Sequence, residues 1–115
     1  GVEHDERFER IGDELHHRVE IGISEAVFGV KVEVPVIDGD PESIDLPAGT
    51  QPETVYRLAK KGMPRLRRRG RGEMFVHIGV TIPTDLTEDQ EETLRTYAGL
   101  RDEQPAKRKR GLFKR

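Results

Sequence analysis

The feature of this sequence that most constrains its fold is the long alternation of apolar residues over positions 74 to 82. Every second residue of this segment is apolar, namely Met74, Val76, Ile78, Val80 and Ile82. Successive side chains of a β-strand point to opposite faces, so this period of two predicts a strand with one face in a core. Pro83 has no backbone N–H and is expected to end the strand. Looser alternations from Leu15 to Ile23 and from Val30 to Val36 predict two further strands.

Turn residues and short apolar segments complete the predicted sheet structure. The segment Asp38-Gly39-Asp40-Pro41 has turn chemistry, because an Asp-Gly pair readily adopts the positive φ of a tight hairpin. A short return strand is expected around Ile44 and Leu46, and another short apolar segment covers residues 55–58. Gly39 and the other turn glycines are expected to serve backbone geometry and not ligand contact.

Two helical segments are predicted from capping residues. Residues 24–29 form a single helical turn with Ser24 as its N-cap and a glycine as its stop. Near position 90, Thr87 and Gln90 have the spacing of a capping box and the following residues are acidic, as the start of a helix favours. An apolar stripe of Leu94, Tyr97 and Ala98 follows, and Gly99 is the expected stop. The chain is therefore predicted to be mostly β with an amphipathic C-terminal helix.

Charge is strongly segregated although the net charge is only −2. Eight basic residues and no acid lie between Arg57 and Arg71, and six more basic residues lie between Lys107 and Arg115. The segment 65–71, here called the basic loop, is the densest of these. Only 33% of the 115 residues are apolar and 37% are charged. This composition predicts one domain with a small core and a highly charged surface.

The sequence excludes several classes of site. It has no cysteine, so it can form neither a disulfide nor a thiolate metal site. No apolar run is long enough to span a membrane, and no secretory segment is present. We therefore expect a soluble, cytoplasmic protein.

Nothing in the sequence has the pattern of a catalytic centre. Ser24 and Ser43 lack the motif of an activated nucleophile, and no carboxylate pair is enclosed by apolar neighbours. The Gly-Arg-Gly segment at 70–72 precedes a strand, whereas a phosphate-binding loop precedes a helix. His16 and His17 are adjacent on a predicted strand, so they point to opposite faces and cannot bind one ion together. We expect no enzyme, no metal site and no cofactor.

Six segments match, in order, motifs of the DnaJ family of J-domain co-chaperones. The family motifs are H-x-x-F-x-R-x-G-D-D-L, I-S-x-x-E-A-x-L-G, V-P-T-L-D-G, I-P-x-G-T-Q-P-G, G-K-G-M-P…G-x-G-D-L-Y-V and L-T-x-E-Q. The corresponding segments are HDERFERIGDEL at 4–15, ISEAVFG at 23–29, VPVIDG at 34–39, LPAGTQP at 46–52, KGMP at 61–64 with RGRGEMFV at 69–76, and LTEDQ at 86–90. The match runs from about residue 4 to residue 98, and the chain resembles the C-terminal substrate-binding region of that family.

The resemblance implies the second C-terminal domain of the family, followed by its dimerisation tail. The fold it implies is a small two-sheet β-sandwich-like domain with a short helical turn and a C-terminal amphipathic helix. Its boundaries would be a linker from a preceding domain at 1–12, the domain itself at 13–99, and a basic tail at 100–115 that serves as a dimerisation segment. The family's His-Pro-Asp motif and Cys-x-x-Cys-x-Gly-x-Gly zinc region are absent from these residues. We therefore expect this chain neither to stimulate an ATPase nor to bind zinc.

The function implied is that of a non-enzymatic chaperone module in protein folding and the stress response. It would bind unfolded or non-native polypeptides, form a homodimer, and hand its clients to a DnaK-type chaperone through other parts of the parent protein. Client contact requires exposed apolar surface or a free sheet edge. The candidates, each of which also fits a sandwich core, are Val30, Val32, Val34, Val55, Tyr56 and Leu58. The candidates for dimerisation are Leu94, Tyr97, Leu112 and Phe113.

Two alternatives remain open from the sequence. The basic loop could bind nucleic acid through its phosphates. No aromatic residue interrupts the loop to stack on bases, so we do not expect nucleic acid as a partner. The chain could also be a spacer that sets the geometry between a client-binding domain and a dimer contact. In that case, it would bind no client on its own.

Overall fold

The structure is a computed structural model that describes residues 5–65 and 70–107. Its elements follow the order β1 (Glu9–Ile11), β2 (Glu14–Gly22), α1 (Ile23–Phe28), β3 (Val30–Val34), β4 (Glu42–Leu46), β5 (Thr54–Leu58), β6 (Met74–Thr81) and α2 (Glu88–Leu100). The chain divides into two compact units, one ending at Ile82 and one beginning at Pro83. The first unit contains all of the strands and α1, and the second contains α2.

The first unit is built from two sheets. The larger sheet has the strand order β1-β2-β6-β5, and β3 and β4 form a two-stranded antiparallel sheet. The central pair β2–β6 is parallel, whereas β1–β2 and β5–β6 are antiparallel. This arrangement confirms the predicted mostly β, two-sheet class. The first strand, β1, was not predicted: its three residues are all exposed, so no apolar alternation marks it in the sequence.

The core contains residues from both sheets. On β6 the alternating residues Met74, Val76 and Ile78 are all fully buried, as the period of two predicts. The prediction is wrong at Ile82, because the strand ends at Thr81 and 66% of the Ile82 surface is exposed. Leu15 on β2 is the register partner of Met74, and it is also buried. The smaller sheet contributes three buried residues to the same cluster, namely Val34, Ile44 and Leu46. The inner faces of the two sheets therefore share one apolar core.

Two core residues come from segments that the sequence did not mark as ordered. Phe8 precedes β1 and Met63 lies in the segment between β5 and β6, and both are buried in the core cluster. Each is a single apolar residue among polar neighbours, so it has no periodicity. The Met63 N–H donates a hydrogen bond of 2.8 Å to the Asp13 carbonyl, which fixes this segment to the β1–β2 turn.

The ends of the helices only partly follow the prediction. Helix α2 begins as expected, because the Thr87 hydroxyl accepts from the Gln90 N–H and the Gln90 side chain accepts from the Thr87 N–H. The predicted stop at Gly99 is wrong, since the helix continues to Leu100. A glycine inside a helix lowers stability by only about 1 kcal/mol relative to alanine, so it does not by itself end the helix.

The predicted N-cap of α1 is also wrong. The N-cap is Gly22 and not Ser24, because β2 runs directly into the helix. The Gly22 N–H donates to the Glu25 carboxylate at 2.8 Å. The carboxylate of the first turn thus satisfies a backbone donor that a serine hydroxyl cannot reach from inside the helix.

The chain reverses direction between β3 and β4 near the predicted place, but through a seven-residue connection at 35–41 and not through a tight hairpin. Gly39 has the predicted positive φ, at 100°, a conformation that residues with a Cβ rarely adopt. Asp38 does not have a positive φ, so the two-residue Asp-Gly turn that the sequence predicts is wrong.

Gly62 lies where three backbone segments meet. A Cβ at this position would be 2.5 Å from the Asp13 carbonyl oxygen and 2.5 Å from the Glu73 carbonyl oxygen. Both are backbone atoms of paired segments and cannot swing aside. We expect Gly62→Ala to lower the free energy of unfolding by about 2–3 kcal/mol, as overpacking does. Urea unfolding followed by circular dichroism measures this loss.

Gly99→Ala is the matched control for Gly62→Ala. A Cβ at Gly99 meets no atom within 4 Å, and the residue lies inside α2. This change is expected to raise stability by about 0.5–1 kcal/mol through helix propensity. Equal effects of the two substitutions would contradict the close approach at Gly62.

Candidate functional site

Three of the six predicted client-contact residues lie on β3, in the smaller sheet. Val34 is fully buried in the core, and Val30 and Val32 are partly buried against it. Val34 therefore cannot touch a ligand while the domain is folded. The exposed residues of this strand are Lys31 and Glu33.

The other three candidates lie on β5, at one edge of the larger sheet. Tyr56 and Leu58 point inward and pack against the core, whereas 48% of the Val55 surface is exposed. Strand β5 pairs only with β6 within the described residues, so its outer edge has no strand beside it there. The structure thus places the exposed Val55 on a strand whose outer edge is free. Tyr56 and Leu58 of the same strand hold it against the core.

An apolar patch on α1 was missed by the sequence analysis. Its members Ile23, Val27 and Phe28 expose 38%, 49% and 80% of their surfaces. Only Ala26 of this helix is buried. The i, i+4 spacing of Ile23 and Val27 could have indicated a second apolar face, because one short helix cannot bury residues on every side. We call these three residues the α1 patch.

Within the second unit, α2 and the segment after it form a groove of about 500 Å³. The two predicted dimerisation residues on α2, Leu94 and Tyr97, line it and expose 43% and 48% of their surfaces. The other lining residues are Leu86, Glu91, Arg95, Ala98, Glu103, Gln104 and Pro105. The remaining two dimerisation candidates, Leu112 and Phe113, lie outside the described residues. No helix in the described ranges is long and apolar enough to cross a membrane.

Ion pairs hold the two ends of the basic loop. The Arg71 guanidinium donates to the Gly62 carbonyl at 2.9 Å and to the Asp38 carboxylate at 2.8 Å. Arg65 Nε lies 3.4 Å from Asp13 Oδ2, an ion-pair contact without hydrogen-bond geometry. Arg65 and Arg71 therefore tie the loop to the domain. The three arginines between them, Arg67, Arg68 and Arg69, lie outside the described residues.

The histidines of β2 have different partners on the two faces of the sheet. His17 Nδ1 lies 2.8 Å from the Arg7 carbonyl oxygen, and its ring contacts the core residue Phe8. His16 instead meets His77 of β6, with 2.8 Å between His16 Nδ1 and His77 Nε2. The two adjacent histidines are thus separated, as the sequence predicts. In the described part of the chain, no group of three or more histidine, aspartate or glutamate side chains has the geometry of a metal site.

One carboxylate on the larger sheet is stabilised in its charged form. Glu20 accepts hydrogen bonds from the Thr81 hydroxyl and from Arg18, and these two contacts, in that order, lower its pKa. Because the pKa of Glu20 is lower in the folded than in the unfolded state, its ionised form stabilises the fold when the pH is above the unfolded pKa. This stabilisation is lost as the pH falls through the pKa of the folded state. The contact is on the surface, so solvent screens it.

The chain matches a known protein family. The family model for the DnaJ C terminal domain matches residues 1–83. A protein named Chaperone protein DnaJ from Halorubrum lacusprofundi is 50% identical over 93 residues, and its namesake from Halobacterium salinarum is 47% identical over 97 residues. A third, from Oleidesulfovibrio alaskensis, is 39% identical over 114 residues.

These alignments cover most of this chain and a minor part of each relative. They span 81%, 84% and 99% of the chain but only 24%, 25% and 30% of the three relatives. The chain therefore spans about a quarter to three tenths of the length of the curated relatives it matches. The family model covers well over half of the chain. The two-sheet fold is the one that the resemblance of the sequence motifs to this family implies. This chain belongs to the DnaJ family of chaperone proteins, as a C-terminal domain.

Proposed function

We propose that this chain is the client-binding and dimerisation module of a DnaJ-type co-chaperone. It binds non-native polypeptide without catalysing a reaction, acts in the cytoplasm, and works within a parent protein that delivers clients to a DnaK-type chaperone. Membership of the DnaJ family is the observation that carries this proposal. The exposed apolar surface of the first unit supports it, because unfolded chains present apolar side chains and unpaired backbone groups.

The proposed contact for client polypeptide is the outer edge of β5. An extended client segment adds to this edge as a further strand, and its backbone provides affinity that does not depend on sequence. Val55 supplies an apolar contact on the exposed face of the sheet, where 48% of its surface is accessible. Tyr56 and Leu58 act from the core by holding β5 against β6. On β3, Val30 and Val32 likewise support the sheet by packing against the core. Val34 is fully buried and does not contact the client directly.

Substitution at Val55 tests the client contact. We expect Val55→Lys to weaken binding of reduced, carboxymethylated lactalbumin, a permanently unfolded protein, by about tenfold. The loss of one buried valine side chain, about 1.5 kcal/mol, corresponds to that factor. Binding is measured by fluorescence anisotropy of the labelled lactalbumin with the full chain.

Ile11→Lys is the matched control for this experiment. Ile11 lies on β1, the opposite edge of the same sheet, and exposes 55% of its surface. This substitution adds the same charge to a similar apolar surface, and we expect less than a twofold effect. Equal weakening by both variants would contradict a specific contact at β5, and absence of any lactalbumin binding would favour the spacer hypothesis.

The proposed dimer contact is the groove on α2, with the tail of a second copy as its occupant. After Leu100 the only large apolar residues of the chain are Leu112 and Phe113, and the residues at 107–110 are Lys-Arg-Lys-Arg. The groove offers apolar contacts at Leu94 and Tyr97 and a carboxylate at Glu103. The Glu91 carboxylate, which also lines the groove, already accepts a hydrogen bond of 2.8 Å from Arg95. The apolar lining matches Leu112 and Phe113 of the tail, and Glu103 matches its basic residues.

A further inference from the structure

The outer face of the larger sheet carries a pair of histidines that the proposed function does not use. His16 lies on β2 and His77 on β6, and they are 61 residues apart in the sequence. In the parallel register His16 is opposite Phe75 and His77 is opposite Arg18, so the two histidines are diagonal neighbours on one face. Nδ1 of His16 and Nε2 of His77 are 2.8 Å apart. The ring centroids are 5.1 Å apart, so these two nitrogens lie between the ring centres.

His16 is held in a defined orientation by two further contacts. Its other nitrogen, Nε2, lies 3.3 Å from the Glu14 carboxylate. Its ring stacks on Phe75, with centroids 5.1 Å apart and an interplanar angle of 21°. A hydrogen on Nε2 that points to Glu14 leaves Nδ1 of neutral His16 as an acceptor, and its lone pair takes the hydrogen of His77 Nε2. A carboxylate behind the non-ligating nitrogen is the usual arrangement around metal-binding histidines.

From these contacts we propose that His16 and His77 bind one divalent transition-metal ion of the nickel, copper and zinc series. The ion takes the place of the single ring hydrogen between the two nitrogens, and His77 moves its own hydrogen to Nδ1. Imidazole nitrogen suits these ions, whereas Mg²⁺ and Ca²⁺ require oxygen ligands. Water completes the coordination, since the described residues supply no third histidine or carboxylate at the site.

The 2.8 Å between His16 Nδ1 and His77 Nε2 is a hydrogen-bond length, and the two nitrogens face each other on the line between the ring centres. In a square-planar or tetragonal site, two adjacent nitrogens each about 2.0 Å from the ion are roughly 2.8 Å apart. In a tetrahedral zinc site they are about 3.3 Å apart. In either case both rings tilt so that their lone pairs converge on one ion, and the movement falls mainly on His77 because Glu14 and Phe75 hold His16.

Metal titration of the full 115-residue chain tests this site. Isothermal titration calorimetry with Cu²⁺, Ni²⁺ and Zn²⁺ is expected to show one ion per chain, with Cu²⁺ bound most tightly. His16→Gln and His77→Gln should each weaken Cu²⁺ binding at least tenfold. Glu14→Gln should weaken it by about tenfold, as loss of a supporting carboxylate does.

Two histidines serve as controls for that titration. His17→Gln changes a residue that bonds the Arg7 carbonyl, and His4→Gln changes one outside the described residues. Both variants are expected to retain the Cu²⁺ affinity of the unmodified chain. Thermal melting without metal confirms that each variant is folded.

A second readout needs no substitution. Substoichiometric Cu²⁺ should selectively broaden the ring proton NMR signals of His16 and His77. Absence of saturable binding, or Cu²⁺ affinity unchanged in both His16→Gln and His77→Gln, would overturn the proposal and leave a simple hydrogen-bonded pair. Val55 is the register partner of His77, so lactalbumin binding is measured without metal. Under that condition the metal site and the proposed function fail independently.

Discussion

Replacing Ile78 with alanine is expected to lower the free energy of unfolding by about 2–4 kcal/mol. Ile78 is fully buried at the centre of β6, between its register partners Val19 on β2 and Thr54 on β5. Removing most of its side chain leaves a cavity that two hydrogen-bonded neighbouring strands cannot close. The loss is a large part of the total for a domain of ordinary stability, about 5–15 kcal/mol. Equilibrium unfolding in urea measures it.

Val55→Ala is the control for this substitution. Val55 lies on the adjacent strand β5, but 48% of its surface is exposed, and its truncation is expected to cost less than about 1 kcal/mol. The two changes remove aliphatic carbon from neighbouring strands and differ mainly in burial. If Ile78→Ala cost no more than Val55→Ala, the assignment of β6 to the centre of the core would be wrong.

Introducing a charge at Tyr97 is expected to convert a dimer into a monomer. The full chain should have twice its monomer mass of 13.1 kDa in light scattering, and Tyr97→Glu should have the single mass. Tyr97 lines the α2 groove, so a carboxylate there replaces apolar surface on which Leu112 and Phe113 of a second copy would pack, and it is desolvated when the tail binds. The cost of desolvating a charged group among apolar side chains, several kcal/mol, is enough to dissociate a dimer at micromolar concentration.

Thr93→Glu and a deletion complete this experiment. Thr93 is an exposed residue of the same helix and is not part of the groove, so Thr93→Glu adds the same charge and should remain dimeric. Removal of residues 108–115 takes away Leu112 and Phe113 and should give the monomer. The proposed contact would be contradicted if the full chain had the monomer mass at every concentration measured. It would also be contradicted if the Tyr97→Glu variant stayed dimeric.

Much of the local structure could be predicted from the sequence, because it depends on neighbouring residues. The alternation over β6 correctly identified Met74, Val76 and Ile78 as an inward face. The capping box of Thr87 and Gln90 correctly located the start of α2. Isolated core residues such as Phe8 and Met63 could not be found, because a single apolar residue in a polar segment has no period.

The candidate sites were less predictable, because exposure is a property of packing. All six client candidates are apolar residues of predicted strands or short apolar segments, yet only Val55 exposes a large part of its surface. The α1 patch was overlooked because the sequence marks a helical turn there without showing which side is covered. The histidine pair was also not foreseen, since the local sequence around His16 contains no sign of His77.

The sequence by itself determined which residues of β2, β3 and β6 face inward, where the chain reverses direction after β3 and where α2 begins. These features follow from side-chain alternation, backbone freedom and capping hydrogen bonds, which act over a few residues. Only the tertiary structure decided that β2 lies parallel to β6 and that β5 forms an edge. Many pairings of these strands would bury the same apolar faces, and the choice among them depends on contacts between distant residues. That choice brings His16 to His77 and leaves Val55 exposed beside a free strand edge.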